Sequence, residues 1–133
     1  MKKFFLLSLL LIGFAAVSCS DSNDDGGVPE DIIGTWDCTK DVTTFEDDYE
    51  ESYEYDKGEV YVVFTRNQMT MYDDEDIMSG HSVEYKIKGD KLWIAGMEWC
   101  TIERLTAKEM VWLFVDYDED YGNITQRSYF SKR

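Results

Sequence analysis

The hydrophobic and polar positions divide this chain into an apolar leader, a short polar spacer and a long series of brief alternating segments. The cleanest alternation runs over residues 81–88. There Val83, Tyr85 and Ile87 oppose Glu84, Lys86 and Lys88, the period-2 signature of a half-buried strand. Gly89-Asp90 follows as a two-residue hairpin signal. The same reading predicts a strand over 35–44, with Trp36, Cys38 and Val42 on one face. Residues 59–66 form a Val/Tyr/Phe run suited to burial on both faces. Asn67-Gln68 turns into a strand over 69–72, with Met69 and Met71 on one side. Further strands are predicted over 91–95, 97–105 and 109–117, and from Ile124 onward. Residues 46–58 and 73–80 read as acidic loops. No long stretch has the 3.6-residue period of a helix, and Pro29 is the single proline.

Eight short strands joined mostly by tight turns predict an all-β fold, an eight-stranded antiparallel up-and-down β-barrel. The first and last strands are expected to close it, because closure removes both exposed edges. About a hundred residues suffice for such a barrel to hold a core. Ile33-Gly34-Thr35-Trp36 opens the first strand. The glycine supplies a backbone bend that other residues resist. The indole two places on can plug the end of a curled sheet.

Charge changes the picture next. There are 28 acidic residues against 13 basic ones, a net charge of −15. Such a surface is repelled by phosphate backbones, so no nucleic-acid partner is expected. Acidity this strong often means disorder, but 15% aromatic residues is too many for a solvating tail.

The leader has its own chemistry. Lys2 and Lys3 precede an apolar run from Phe4 to Val17 that only Ser8 and Gly13 interrupt. Ala16-Val17-Ser18-Cys19 resembles the cleavage site of a bacterial lipoprotein signal. The resemblance implies a signal peptide over 1–18, lipid attachment at Cys19 and a flexible acidic tether over 19–29. The domain itself then spans 30–133. Two or three acyl chains such as palmitate, at roughly 0.8 kcal/mol per buried methylene, hold a protein on a membrane stably. Ser20 and Asp21 after the Cys resemble the leaders of lipoproteins that Bacteroidetes-type bacteria display. The expected location is therefore the outer membrane, at the cell surface or otherwise on its periplasmic face.

Several stretches together resemble one fold family. Ile33-Gly34-Thr35-Trp36 is similar to the Gly-x-Trp of the lipocalin and fatty-acid-binding superfamily, the calycins. Three further stretches resemble the short lipocalin-like lipoproteins of Bacteroidetes. They are Tyr85-Lys86-Ile87-Lys88-Gly89-Asp90-Lys91-Leu92, Ile102-Glu103-Arg104-Leu105-Thr106-Ala107-Lys108-Glu109-Met110-Val111 and Tyr129-Phe130-Ser131-Lys132-Arg133. The resemblance implies a barrel that holds a small hydrophobic or amphipathic ligand. It also implies a basic side chain packed over the Gly-x-Trp ring, a structural role assigned here to Arg133 or Arg127 beside Gly34 and Trp36. The usual lipocalin C-terminal helix has no counterpart, which points to a trimmed relative.

The candidate ligand-binding residues are Trp36, Phe64, Met69, Met71, Tyr85, Trp93, Trp112 and Phe114, with Val62 among the inward pool. A slip of one residue in register would reverse each assignment. Either these rings enclose a cavity or they fill the interior and leave a surface or periplasmic interaction module. Residues 46–56 interleave tyrosines with carboxylates where lipocalins carry a lid. They read as a solvated loop or a surface for a cationic partner. Residues 116–122 alternate carboxylates as calcium loops do. Gly122 comes one place late, however, and Arg127 stands where a bidentate Glu belongs, so a charged hairpin tip is expected and no metal site. Cys38 and Cys100 form a possible disulfide or two buried thiols. Non-adjacent strands about 10 Å apart disfavour the bridge. No His-Glu-x-x-His, Gly-x-Ser-x-Gly, phosphate-cradling loop or Cys-x-x-Cys is present, so neither an enzyme nor a cofactor is expected. The sequence names no protein partner.

Overall fold

The computed structural model describes residues 28–73 and 79–133. A short 3-10 turn, Glu30–Ile32, leads into nine strands. These are β1 Gly34–Phe45, β2 Glu50–Glu54, β3 Val60–Phe64, β4 Gln68–Asp73 and β5 Ser82–Lys88. They continue as β6 Lys91–Ile94, β7 Met97–Leu105, β8 Glu109–Asp118 and β9 Gly122–Lys132. Every pairing is antiparallel, and β1 also pairs with β9 from Trp36↔Lys132 to Phe45↔Ile124. The wall is therefore a closed eight-stranded barrel with one additional strand, β2. Residues 1–27, which include the expected signal, Cys19 and most of the tether, lie outside the described residues, as does much of the second acidic loop.

The additional strand corrects the sequence reading of 46–58 as a loop. β2 and β3 lie end to end along one edge of β1: Lys40 to Thr44 pair with Glu54 to Glu50, and Gly34 to Asp37 pair with Phe64 to Tyr61. Tyr55 N–H reaches Thr39 O at 3.0 Å, while two residues earlier on β1 the partner of Asp37 is Tyr61. Four residues, 56–59, thus bulge out between two halves of what is otherwise one strand. The β1–β2 hairpin closes with Phe45 N–H on Tyr49 O at 2.8 Å and with Asp48 at φ 70°. An aspartate tolerates that left-handed backbone better than most residues.

The sheet register places the core. Trp36 pairs with Val62, Val62 with Met71, Phe64 with Met69, and Met69 with Val83, all facing inward. Phe64, Met69, Leu92 and Met110 are almost fully buried. Each such side chain contributes roughly 1.5–3 kcal/mol by leaving water. Three register shifts interrupt the alternation, one of them between Ile102 and Arg104 on β7–β8. On β1 the partner sequence slips between Cys38 and Lys40, which turns Asp41 inward and Val42 outward beside Arg127. The expected Trp36, Cys38, Val42 face is therefore broken after Cys38. On β6–β7 the register shifts between Leu92 and Trp93.

Candidate functional site: two ends of one barrel

At the closed end the 3-10 turn lies beneath the ring of Trp36. Ile32 and Trp36 are both fully buried, and the indole N–H donates to Ile32 O at 2.8 Å. Lys132 Nζ sits 5.2 Å from the Trp36 ring centroid and donates to Asp31 O at 2.8 Å. The basic cover over Gly-x-Trp is thus Lys132, not Arg127 or Arg133. The reason is register: Lys132 pairs directly with Trp36, so it is the C-terminal base on that face. Gly34, at φ +138°, admits this contact, because a Cβ there would lie 2.7 Å from Lys132 Cε. Arg133 points outward instead. It makes a two-pronged ion pair with Asp37, Nε to Oδ2 at 3.0 Å and a terminal nitrogen to Oδ1 at 3.0 Å, and lies 4.6 Å over the Tyr61 ring. Asp37 also accepts the N–H of Gly58, so this buried carboxylate ties the 56–59 bulge to the chain end. Arg127 lies farther along β9 and pairs with Glu103 at 2.8 Å on the outer face, which holds the Glu103 carboxyl below its ordinary range.

Above this plug the interior is filled by rings. Phe64 meets Tyr85 edge-on at 4.9 Å and Trp112 at 6.4 Å, and Trp112 meets Phe130 at 4.6 Å. Of the candidate ligand residues, Trp36, Phe64, Met69, Tyr85 and Trp112 are buried in this cluster, and Val62 lies among them. Met71 and Phe114 are only partly buried against it. Trp93 departs from the expectation. Its partner is Lys86, Lys88 Nζ stands 4.5 Å over its ring, and Leu92 takes the inward place. The alternation fixes this: Leu92 pairs with the inward Ile87, so its neighbour must face out.

Sequence reasoning missed a polar knot on the inner face. The bulge in β1 swings Asp41 inward, where its carboxylate accepts the hydroxyls of Tyr55 and Ser128, each at 2.7 Å. The Cys38 thiol lies 3.7 Å from the same carboxylate. Cys38 and Cys100 are free, buried thiols, not a disulfide. Burial, and for Cys38 the neighbouring Asp41, raises both well above the ordinary thiol value. Neither is a ready nucleophile. Burial and the bond to Asp41 likewise push the Tyr55 phenol up. An alternation count cannot locate a bulge, so nothing in the sequence marked this knot.

The opposite end is the mouth, where the β1–β2 and β8–β9 hairpins stand side by side. Trp112 meets Phe114 at 6.2 Å, and Phe114 meets Trp99 at 5.9 Å, so aromatic contact continues from the buried cluster to half-exposed rings. The Trp112 N–H has no hydrogen-bond partner among the described residues, although the side chain is buried. Described residues line clefts at both the flank and the mouth. One, of about 340 Å³, lies at the flank beside Asp37, Tyr55, Lys57 and Arg133. The other, of about 620 Å³, opens between the hairpin tips at Phe45, Glu46, Tyr117, Glu119 and Tyr121. Neither is lined by Phe64, Tyr85, Trp112 or Phe130. The tips are joined by Glu46, whose carboxylate accepts the N–H of Asn123 at 3.1 Å across Gly122. The 116–122 segment is a hairpin tip: Asp118 Oδ1 caps the N–H groups of Asp120 and Tyr121.

No family model and no curated protein matches the chain. Among solved structures it is similar to a lipocalin-like protein from Bacteroides uniformis. The two share 14% identity, over 77% of this chain and 99% of that one, with a TM-score of 0.49. The barrel's own features make it lipocalin-like: eight antiparallel strands closed first to last, a 3-10 turn beneath a Gly-x-Trp ring, and a base over that ring.

Proposed function

We propose that this protein is a lipid-anchored lipocalin-like lipoprotein of the outer membrane that binds a small apolar or amphipathic molecule in the mouth half of its barrel. Trp112 carries this reading. A buried donor left without an acceptor costs about 1–3 kcal/mol, and a ligand carbonyl or carboxylate would relieve that cost. Phe114 and Trp99 lie on its half-exposed side and offer apolar surface for the rest of such a molecule. The closed end serves as filled scaffold, so the proposed site is smaller than the whole interior and excludes Trp36 and Trp93. The anchor rests on Cys19 and its preceding Ala16-Val17-Ser18.

Titration with fatty acids and bile-acid-like steroids, followed by tryptophan fluorescence, tests the binding. A saturable change that Trp112→Phe removes is expected. A flat response to every compound, together with no co-purified ligand in native mass spectrometry, would sink it. A second reading, a binding or accessory module that works through its outer surface, is favoured by the position of both clefts outside the ring cluster. The flat result would leave that second reading standing.

A further inference from the structure

The strand absent from the sequence reading is also the one with an open side. Among the described residues β2 ends the sheet order, paired with β1 alone. All five of its residues, Glu50, Glu51, Ser52, Tyr53 and Glu54, are exposed. The register fixes which backbone groups are free. Tyr49 and Tyr55 bond to Phe45 and Thr39 of β1. Antiparallel ladders alternate, so residues 51 and 53 also face β1. The N–H and C=O groups of Glu50, Ser52 and Glu54 therefore point away from it, into solvent. The carboxylates line both faces of this edge: Glu50 and Glu54 pair beside outward Thr44 and Lys40, and Glu51 pairs beside Thr43 on the inner face. Between Lys40 and Lys57 the chain has no basic residue.

We propose that β2 is a docking edge for an extended, lysine- or arginine-bearing segment of another polypeptide, which adds to the sheet as a further strand. Backbone bonds to Glu50, Ser52 and Glu54 supply the pairing, and the three glutamates select the partner by sign. A bare edge of neutral residues would accept a second copy of the same chain. Here a second copy brings glutamate against glutamate, which a cationic strand does not. The inference concerns the outer edge of the wall and does not depend on a ligand in the interior.

The test titrates the full chain with a synthetic Lys-Val-Lys-Val-Lys-Val-Lys peptide, followed by fluorescence anisotropy of the peptide and by amide hydrogen exchange of the protein. Saturable binding is expected, with exchange slowed at residues 50, 52 and 54 but not at 51 and 53. Reversing the three glutamates to lysine should weaken binding about tenfold or more. Ser52→Pro should abolish binding, because it removes an edge-facing donor while leaving the β1–β2 hydrogen bonds in place. A peptide N-methylated at alternate residues keeps its charge but cannot pair, and it should also fail to bind; this control needs no change to the protein. Equal binding by the N-methylated peptide, by a Glu-Val counterpart or by the Ser52→Pro chain would overturn the proposal. So would no binding at all, or exchange protection confined to the 118–122 tip.

Discussion

The two ends of this barrel finish a curled sheet by opposite means. At the closed end each polar group described is paired: the Trp36 indole with Ile32 O, Lys132 with Asp31 O, and Asp37 with both Arg133 and Gly58. Asp37 keeps only 7% of its side chain exposed. At the mouth, Tyr49, Tyr117, Tyr121 and Val115 are exposed by more than half, among carboxylates that water solvates. The two tips meet through the Glu46–Asn123 bond and through the rings of Phe45 and Tyr121, 5.5 Å apart. Burial and satisfied hydrogen bonds concentrate stability where the chain ends meet. The hairpin end buries less of its apolar surface, which suits the binding role proposed for it.

That contrast can be broken by substitution. Trp36→Ala should lower the unfolding free energy by about 3–5 kcal/mol, the cost of emptying a fully buried indole site. It should be read from the urea midpoint at constant m-value. A loss under 1 kcal/mol, of the size ordinary surface changes give, would mean the closed end is not the anchor. Alkali should have the next largest effect. In the unfolded chain the two thiols ionise near pH 9 and Tyr55 near pH 10, whereas burial keeps all three protonated in the folded state. Above pH 9 the native state thus holds more protons than the unfolded one. Stability is then fully present below about pH 9 and falls as pH rises beyond it. Urea midpoints across that range should drop, and the drop should shrink in a Cys38→Ala, Cys100→Ala, Tyr55→Phe chain. An unchanged slope in that chain would place the alkaline sensitivity elsewhere. The smallest effect should come from the tip. Gly122→Ala places a Cβ against the Glu46 carboxylate at φ +78°, yet should cost only about 1 kcal/mol, since a hairpin end can open locally. A loss as large as that of Trp36→Ala would erase the distinction between the ends.

What could be read in advance follows the same division. The alternation of Val83, Tyr85 and Ile87 and the Gly89-Asp90 turn gave β5 and its hairpin, because each inward residue has an apolar partner across the ladder. Closure of β1 on β9 was legible because open edges are costly. β2 was not legible: Glu-Glu-Ser-Tyr-Glu buries nothing, so no period betrays it. It exists because β1 runs past the end of β3 and has unpaired groups to satisfy. Trp93 was placed on the wrong face by one residue of parity across the Gly89-Asp90 turn, and Val42 by the bulge at Thr39. A bulge leaves composition unchanged and inverts every position after it. Lys132 was passed over for its neighbour Arg133, since one residue of register decides which base meets the indole. Of the candidate site, the buried rings were readable from type and parity. The Asp41, Tyr55 and Ser128 knot was not, because it depends on the extra residue at Thr39.

The pairing of β1 with β9 also governs the order of assembly. The first strand made must wait for the last before the wall can shut, and the partners lie almost a hundred positions apart, from Trp36 to Lys132. Such distant contacts form slowly. Until Lys132 has been made, Trp36 lacks its partner across the seam and the wall stays open.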